Sequence, residues 1–382
     1  MSPVSRKEYL QAILGRYQQA GRVEKSRILD EFCRICGYHR KHAIATLRQA
    51  KRSKRARRKP GRASRYNKPE IVSVLHCIWQ TAHYPCSKRL KAILACWIQP
   101  YEHTFGTLPG WVTQALAAIS PSTIDRVLVH ERLRVQRKGL STTKPGTLLK
   151  HHIPIHTTQW DETRPGFLEA DTVAHCDESM AGQFVFTLDL TDLATGWTEQ
   201  RAVWGKGERG VLEQIVSIEA SLPFPILGFD CDNGGEFLQW HLVRYFQERP
   251  HPVQFTRSRP YHKDDNAHVE QKNWTHVRQW LGYQRFEKPS LVERLNELYT
   301  TEWRCFLNLF LPSAKLQHKQ RIRSKIIKVH DAPSTPYQRI LDSVHIPQRT
   351  KDQLTDLYHT LNPFDLRKAI DQKIRRIRQL AR

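Results

Sequence analysis

Strand-like and helix-like patterns alternate between residues 160 and 290, and this alternation constrains the fold more than any other feature of the chain. Three neighbouring strands come first, and helices and strands then alternate. This order predicts a mixed sheet covered by helices, which is an α/β fold. The predicted strands are 167–173, 183–190, 197–204, 225–231 and 252–257, and the predicted helices are about 208–221, 235–247 and 265–284.

Three carboxylates in this region lie where two strands and one helix can bring them to one point. Asp171 lies in an alternating, strand-like run, and Asp232 ends a second such run and precedes Asn-Gly-Gly. Glu270 lies in the helix-like segment 264–274. A cluster of hard oxygen ligands suits Mg²⁺ or Mn²⁺. Such a cluster indicates phosphoryl transfer on nucleic acid through two metal ions.

The sequence around these residues resembles the DDE transposase and retroviral-type integrase family. The run from Asp232 to Phe237 matches the segment that carries the second aspartate of the family, and 258–274 matches the segment that carries its glutamate. The resemblance covers roughly residues 160–290, and the flanking regions look like those of bacterial insertion-sequence transposases. It implies a ribonuclease-H-like catalytic core.

The resemblance also implies a role for each carboxylate. Asp171 would bridge two metal ions, Asp232 would complete the site of one ion, and Glu270 would complete the site of the other. Helical spacing puts Asn266 and Asn273 on the same face as Glu270, and the predicted supporting residues are Asn233, Asn266 and Asn273. Lys263 and Lys272 flank the glutamate and are predicted to bind DNA phosphates.

Other acidic residues compete for these roles or have simpler interpretations. Asp230 lies two residues before Asp232 and would face the same side of a strand, but Asp232 matches the family motif. Glu236 has the alternative of pairing with a neighbouring basic side chain. Asp189 and Asp192 are predicted to be surface or turn residues.

The charge distribution predicts a polyanionic partner. The formal net charge is +24, but residues 161–300 hold 14 basic and 22 acidic residues. The remainder of the chain therefore has a net charge of +32. An acidic centre between basic flanks fits a metal-binding core carried by DNA-binding arms, although one acidic domain with a solvated face would have the same balance.

The N-terminal region has the pattern of a helix-turn-helix. A helical stripe formed by Ile28, Leu29, Phe32, Cys33 and Cys36 ends at a glycine, and a basic helix follows. Any two short helices around a glycine would look similar. The predicted DNA contacts in this region are Arg40, Lys41 and Arg48 in the basic helix and Lys54, Arg55, Arg57 and Arg58 in the linker. The linker has the alternative of serving only as a solubilising segment.

Cysteine and histidine residues at positions 33–42 suggest a zinc site at first sight. The four candidates fall within ten residues, which is tighter than zinc-finger spacing. The cysteines also fill the apolar face of the proposed helix. We therefore expect core cysteines and no zinc.

The full pattern divides the chain into six regions. The C-terminal region ends in a helix whose apolar stripe (Leu366, Ile370, Ile374, Ile377 and Ala381) would pack on its own domain or on a second protomer. The regions are an N-terminal helix-turn-helix (1–50), a basic linker (51–68), a helical DNA-binding module (69–133), a second linker (134–159), the catalytic core (160–290) and a basic C-terminal domain (300–382).

These patterns predict a DNA transposase that binds transposon ends, cleaves them and transfers a 3′-hydroxyl to target DNA. Its expected partners are double-stranded DNA and further copies of itself on DNA, with no membrane association. No apolar signal core is present near residue 1, so we expect a cytoplasmic, nucleoid-associated protein. Two alternatives are a metal-dependent nuclease without strand transfer and a non-catalytic DNA-binding regulator.

Overall fold

The computed structural model describes residues 2–52, 65–135, 163–205, 207–231, 240–257, 267–322 and 325–382. The chain divides into two units, Met1–Ser64 and Arg65–Arg382. Each unit has its own hydrophobic core.

The described part of the first unit, residues 2–52, forms three helices, α1 (Pro3–Gln19), α2 (Arg22–Cys36) and α3 (Arg40–Arg52). Gly37 ends α2 in a left-handed conformation (φ 68°), which glycine adopts without a steric cost. The predicted apolar stripe of α2 forms the centre of this unit, with Phe32 and Cys36 buried and Cys33 half-buried. The expectation of core cysteines is therefore confirmed for Cys36.

A five-stranded sheet forms the centre of the second unit. Its order is β3-β2-β1-β4-β5, with β1–β2 and β2–β3 antiparallel and β1–β4 and β4–β5 parallel. Every residue of β2 is buried, as expected for a strand covered on both faces. The prediction of a mixed sheet covered by helices is confirmed. The strands are β1 (Phe167–Ala174), β2 (Val185–Asp192), β3 (Thr198–Trp204), β4 (Gly228–Cys231) and β5 (Gln254–Arg257).

Helices precede the sheet and alternate with its later strands. Ser120 caps α7 as its side chain accepts from the amide of Thr123, with Pro121 in the first turn. Among the described residues, no helix has both the length and the hydrophobicity required to cross a bilayer. The helices are α4 (Pro69–Thr81), α5 (Ser87–Phe105), α6 (Gly110–Ala118), α7 (Pro121–Val127), α8 (Val129–Val135), α9 (Glu208–Ser221), α10 (Trp240–Gln247), α11 (Ala267–Lys272) and α12 (Gln279–Leu281).

The α11 segment does not end at Lys272. It continues as a π-helical turn over Asn273–Arg278 and then as α12, so that one helix covers residues 267–281. We call it the Glu270 helix. A π-helical turn inside an α-helix is rare and occurs often at functional sites.

The C-terminal helices complete the core of the second unit. Ile370, Ile374 and Ile377 of the final helix are buried, and Phe364 contacts Trp97 of α5 with ring centroids 5.4 Å apart. The apolar stripe therefore packs within its own chain. The helices are α13 (Ser290–Leu298), α14 (Pro336–Asp342), α15 (Gln348–Thr360) and α16 (Pro363–Ala381), and π-helical turns cover Tyr299–Trp303 and Phe306–Phe310.

Two further strands form a hairpin that the sequence did not predict. These strands are β6 (Leu316–Ile322) and β7 (Lys325–His330), and they make a separate two-stranded antiparallel sheet. We call the described residues of this pair, 316–322 and 325–330, the β6–β7 arm. Every described side chain in the arm is exposed.

Candidate active site

Asp171 lies on β1, at the centre of the sheet. It is paired with Asp189 on the antiparallel neighbour β2. On the parallel neighbour β4, Cys231 pairs with Ala170, the residue before Asp171. Asp232 follows Cys231 directly in the chain and lies outside the described residues. The side chain of Asp171 is half-buried.

The N-terminus of the Glu270 helix is fixed to the same strand. The Glu169 carboxylate accepts hydrogen bonds from the backbone amides of His268 (3.1 Å) and Val269 (3.0 Å). These amides have no carbonyl partner inside the helix, and a carboxylate is a favourable acceptor at this end of a helix. Glu169 and Asp171 are two residues apart on β1 and therefore point to the same face of the sheet.

A second contact joins the Glu270 helix to Asp171 itself. The Asn273 amide Nδ2 donates to Asp171 Oδ2 at 2.6 Å, and the backbone amide of Thr172 lies 2.7 Å from Asp171 Oδ1. The structure thus brings together two of the predicted site residues, Asp171 and Asn273. Glu270 lies three residues before Asn273, and its side chain is exposed.

The side-chain oxygen of Asn273 has no hydrogen-bond partner in the part of the chain that the structure describes. Asn273 Oδ1 is buried and accepts no hydrogen bond from any described residue. A buried acceptor without a donor is costly, and buried polar atoms usually have partners. The contact between Asn273 and Asp171 is therefore a place where a further group, such as a water molecule held by a cation, would satisfy a protein oxygen.

Asp230, the competing aspartate, lies inside the sheet. It is 5% exposed, and Thr256 of β5 donates a 2.6 Å hydrogen bond to its carboxylate. Asp230 is thus much less accessible than Asp171. Among the described ranges, no three His, Cys, Asp or Glu side chains form a metal-binding group. Several predicted residues lie outside those ranges, namely Asp232, Asn233, Glu236, Lys263 and Asn266, together with the linker residues Lys54, Arg55, Arg57 and Arg58.

A buried polar cluster, which the sequence did not predict, lies behind Asp171. Asp189 is fully buried and accepts from the Gln200 amide at 3.0 Å. Lys272 is 7% exposed, and its Nζ lies 3.5 Å from Nε2 of the buried His276. The assignment of Lys272 to DNA phosphate is therefore wrong, since its ammonium group faces the interior. One signal in the sequence was available: Lys272 is two residues from Glu270, and side chains two residues apart on a helix point to different faces.

Burial dominates the electrostatics of this cluster. Desolvation raises the pKa of Asp189 to about 8 and lowers the pKa of Lys272 to about 7, because both lose hydration when charged. The attraction between the two opposite charges works against each shift. Burial also lowers the pKa of His276 well below its usual range, so this imidazole is neutral near pH 7.

Asp192 is a second predicted surface residue that the structure buries. Its carboxylate accepts from the amide of Gly166 (2.8 Å) and from the amide (2.7 Å) and hydroxyl (2.6 Å) of Thr195. It therefore holds the turn after β2 against the start of β1. The prediction of a turn residue was right, but both Asp189 and Asp192 are 0% exposed, so the prediction of surface positions was wrong.

The predicted cations of the first unit lie on α3. Lys41 and Arg48 are exposed. Arg40 is also on the surface, where its guanidinium pairs with Asp30 and donates to the Ser26 hydroxyl at 2.7 Å. Arg40 therefore joins α2 to α3, whereas Lys41 and Arg48 make no such side-chain contact with the described residues.

The chain belongs to the same protein family as a rhizobial protein. It is 36% identical over 343 residues to "Uncharacterized protein y4rM" of Sinorhizobium fredii (strain NBRC 101917 / NGR234), which covers 89% of this chain and 96% of that protein. No family model matches the chain.

Two solved structures have weak overall similarity to the chain. The catalytic core domain of BIV integrase is 14% identical, covers 47% of this chain and 96% of its own, and has a TM-score of 0.28. The simian T-cell lymphotropic virus intasome in complex with the PP2A regulatory subunit B56 gamma is 12% identical and has a TM-score of 0.35. This match covers 65% of the present chain and 75% of the chain in that structure. Because both TM-scores are low, the description of the fold rests on the strand order and the contacts of this chain itself.

Proposed function

We propose that the chain is a DDE-type DNA transposase with a ribonuclease-H-like core, in which Asp171, Asp232 and Glu270 form the active site. The observation that carries this proposal is the 2.6 Å hydrogen bond from Asn273 to Asp171. It fixes the helix of Glu270 against the strand of Asp171. The start of the same helix is fixed by Glu169, two residues away on that strand.

Asp232 is the third carboxylate of the proposal. Ala170 of β1 pairs with Cys231 of β4, and the next residue in the sequence after each of them is an aspartate, Asp171 or Asp232. We prefer Asp232 to Asp230 because Asp230 is buried within the sheet and accepts a hydrogen bond from Thr256. A buried carboxylate cannot reach a DNA strand.

The donor set fits Mg²⁺ or Mn²⁺. Carboxylate oxygens are hard ligands, and the unpartnered Asn273 oxygen gives a bound water molecule a hydrogen-bond acceptor. Asp171, Asp232 and Glu270 would hold two ions. When bound, such ions activate an attacking oxygen and relieve charge on the leaving oxygen of a phosphodiester. No zinc is included, because Cys36 belongs to the core of the first unit.

The remaining residues of the site hold the carboxylates in place. Asn273 orients the carboxylate of Asp171, as ligand-supporting hydrogen bonds commonly do. Lys272 lies on the buried face of the Glu270 helix, where its charge attracts that of Asp189. Cleavage would release a 3′-hydroxyl, and that hydroxyl would attack target DNA without a covalent bond between protein and DNA.

DNA binding by the first unit is part of the same proposal. The α2–α3 pair has the helix-turn-helix pattern, and Lys41 and Arg48 are exposed on its second helix. We assign these helices to the recognition of transposon ends, with oligomerisation on DNA to bring two ends together. We also retain the bacterial nucleoid in the cytoplasm as the expected site of action.

A joining assay separates this function from its alternatives. Duplexes that carry the boundary sequences of the genomic segment encoding this chain would be mixed with a supercoiled plasmid and Mg²⁺ or Mn²⁺. We expect joined products with the native chain and none with Glu270→Gln. Cleavage without joining would favour a nuclease, and tight DNA binding with neither activity would favour a regulator.

A further inference from the structure

The β6–β7 arm is a solvated ribbon attached to a fixed base. Lys315 and Asp331 exchange hydrogen bonds directly below it, with the amide of Lys315 lying 2.6 Å from Asp331 Oδ1. Ser313 and Ser334 pair one step further down, with N–O distances of 2.9 and 3.1 Å. The two strands therefore leave the second unit in a defined register.

Arg339 of α14 holds this base in place. Its guanidinium donates to the backbone oxygens of Ser313 (2.8 Å), Ser334 (3.1 Å) and Thr195 (3.3 Å). It also donates to the Ser313 hydroxyl (2.9 Å) and to Asp331 (3.1 Å). Charge-assisted bonds of this kind are stronger than neutral ones. The base is thus fixed to the turn after β2 of the catalytic sheet, while the arm above it contacts solvent.

The composition of the arm indicates a polyanionic partner. Residues 316–322 and 325–330 contain four Lys or Arg residues and no Asp or Glu. Strand pairing puts Arg321 opposite Ile326, and Lys328 is two residues from Ile326, so Arg321 and Lys328 share one face. The opposite face carries Ile322, Ile327 and Val329, which are 48%, 46% and 46% exposed.

An isolated hairpin with this surface is not explained by the fold. Two-stranded hairpins are marginally stable in water, and apolar side chains exposed together usually mark an interaction site. The major groove of duplex DNA admits a two-stranded ribbon, whose cations then reach phosphates on the groove edges. Apolar side chains can contact thymine methyl groups in that groove.

We propose that the β6–β7 arm docks in a groove of double-stranded DNA, with Arg321 and Lys328 on phosphates. This inference rests on the proposed function, because it gives the acidic core a basic arm that holds the duplex. Charge complementarity favours DNA over a protein partner.

The test compares two double variants of the full chain. Arg321→Gln/Lys328→Gln removes two cations from the arm, and Lys368→Gln/Arg376→Gln removes two exposed cations from α16 as a matched control. The affinity of each protein for a DNA duplex of about 40 base pairs would be measured by fluorescence anisotropy at several salt concentrations. Thermal unfolding would verify that both variants fold.

We expect the arm variant to bind at least about tenfold more weakly near 0.15 M salt, and its log–log salt slope to fall by about 1.8, or about 0.9 per lost phosphate contact. The control variant should keep both the affinity and the salt slope of the native chain. An arm variant with unchanged affinity and slope would overturn the proposal. The proposal would also be overturned if the chain self-associates through the arm in the absence of DNA and if Ile327→Ser abolishes this self-association.

The outcome is separable from that of the proposed function. If the native chain joins DNA but the arm variant keeps its full affinity, only the role of the arm is wrong. If the native chain binds duplex DNA through the arm but neither cuts nor joins it, the proposed catalytic function is wrong and the arm proposal stands.

Discussion

At the scale of single residues, the contact between Asn273 and Asp171 is central. The Asn273 side chain couples the Glu270 helix to the central strand, and its amide oxygen is left without a described partner. The sequence predicted that Asn273 shares a helix face with Glu270. It did not predict that Asn273 would bind Asp171, because a contact across 102 residues of sequence depends on how the helix packs on the sheet.

Replacing Asn273 with leucine should reduce catalysis without unfolding the protein. Leucine keeps the volume but cannot orient the Asp171 carboxylate, and loss of such a supporting bond typically costs about 10- to 100-fold in activity or metal affinity. The measurement is the rate of DNA nicking as a function of Mn²⁺ concentration. Gln271→Leu, an exposed neighbour, is the control. Equal rates for the two variants would rule out a role for Asn273 in holding Asp171.

Asp189 should make stability depend on pH. Its folded pKa is raised by burial from 3.8 to about 8, so its contribution to stability is present below about pH 4 and is lost as the pH rises towards 8. Asp189→Asn removes this ionisation. The free energy of unfolding of the variant, relative to the native chain, should therefore increase between pH 4 and 8. A constant difference across that range, measured by urea denaturation, would contradict the proposed burial effect.

At the scale of elements, the strands and most helices could be predicted from hydrophobic periodicity. The five strands of the sheet lie within a few residues of their predicted bounds, because their apolar runs are buried. Contacts between elements were not predictable in this way: Ser87, the first residue of α5, donates from its hydroxyl to Asp125 at 2.9 Å.

The β6–β7 arm could not be predicted for a physical reason. Neither of its faces is buried, so no alternation of apolar and polar residues marks the strands. Lys272 was misread for a related reason. A lysine within an amphipathic helix is normally solvated, and only the packing of the Glu270 helix on β1 and β2 puts this one inside.

The final helix should stabilise the second unit through its apolar stripe. Ile370 is 0% exposed, and Ile370→Ala would leave a cavity between α16 and the rest of the core. We expect a loss of about 2–4 kcal/mol in the free energy of unfolding. Lys368→Ala, on the exposed side of the same helix, should change it by less than about 0.5 kcal/mol. Similar losses for the two variants, measured by urea denaturation, would contradict the packing of α16 in this core.

At the scale of the whole molecule, two separate cores predict two unfolding transitions. The described residues of the first unit form a small core between three helices, whereas those of the second form an extensive core built on the sheet and its helices. Small cores give marginal stability, so the first unit should unfold at the lower temperature.

Calorimetry of the full chain would test this division. Phe32→Ala, in the centre of the first unit, should remove or strongly lower the first transition and leave the second unchanged. A single transition that shifts as a whole in the variant would show that the two units unfold cooperatively.

The most direct test of the proposed active site is nicking of supercoiled plasmid DNA in the presence of Mn²⁺. It requires no knowledge of the transposon ends. The native chain would be compared with Asp171→Asn, Asp232→Asn and Glu270→Gln at matched DNA affinity. We predict nicking by the native chain and loss of nicking in all three variants, each of which replaces one carboxylate by an uncharged amide of nearly the same shape. Unchanged nicking by any of the three would contradict the assignment of these carboxylates as one active site.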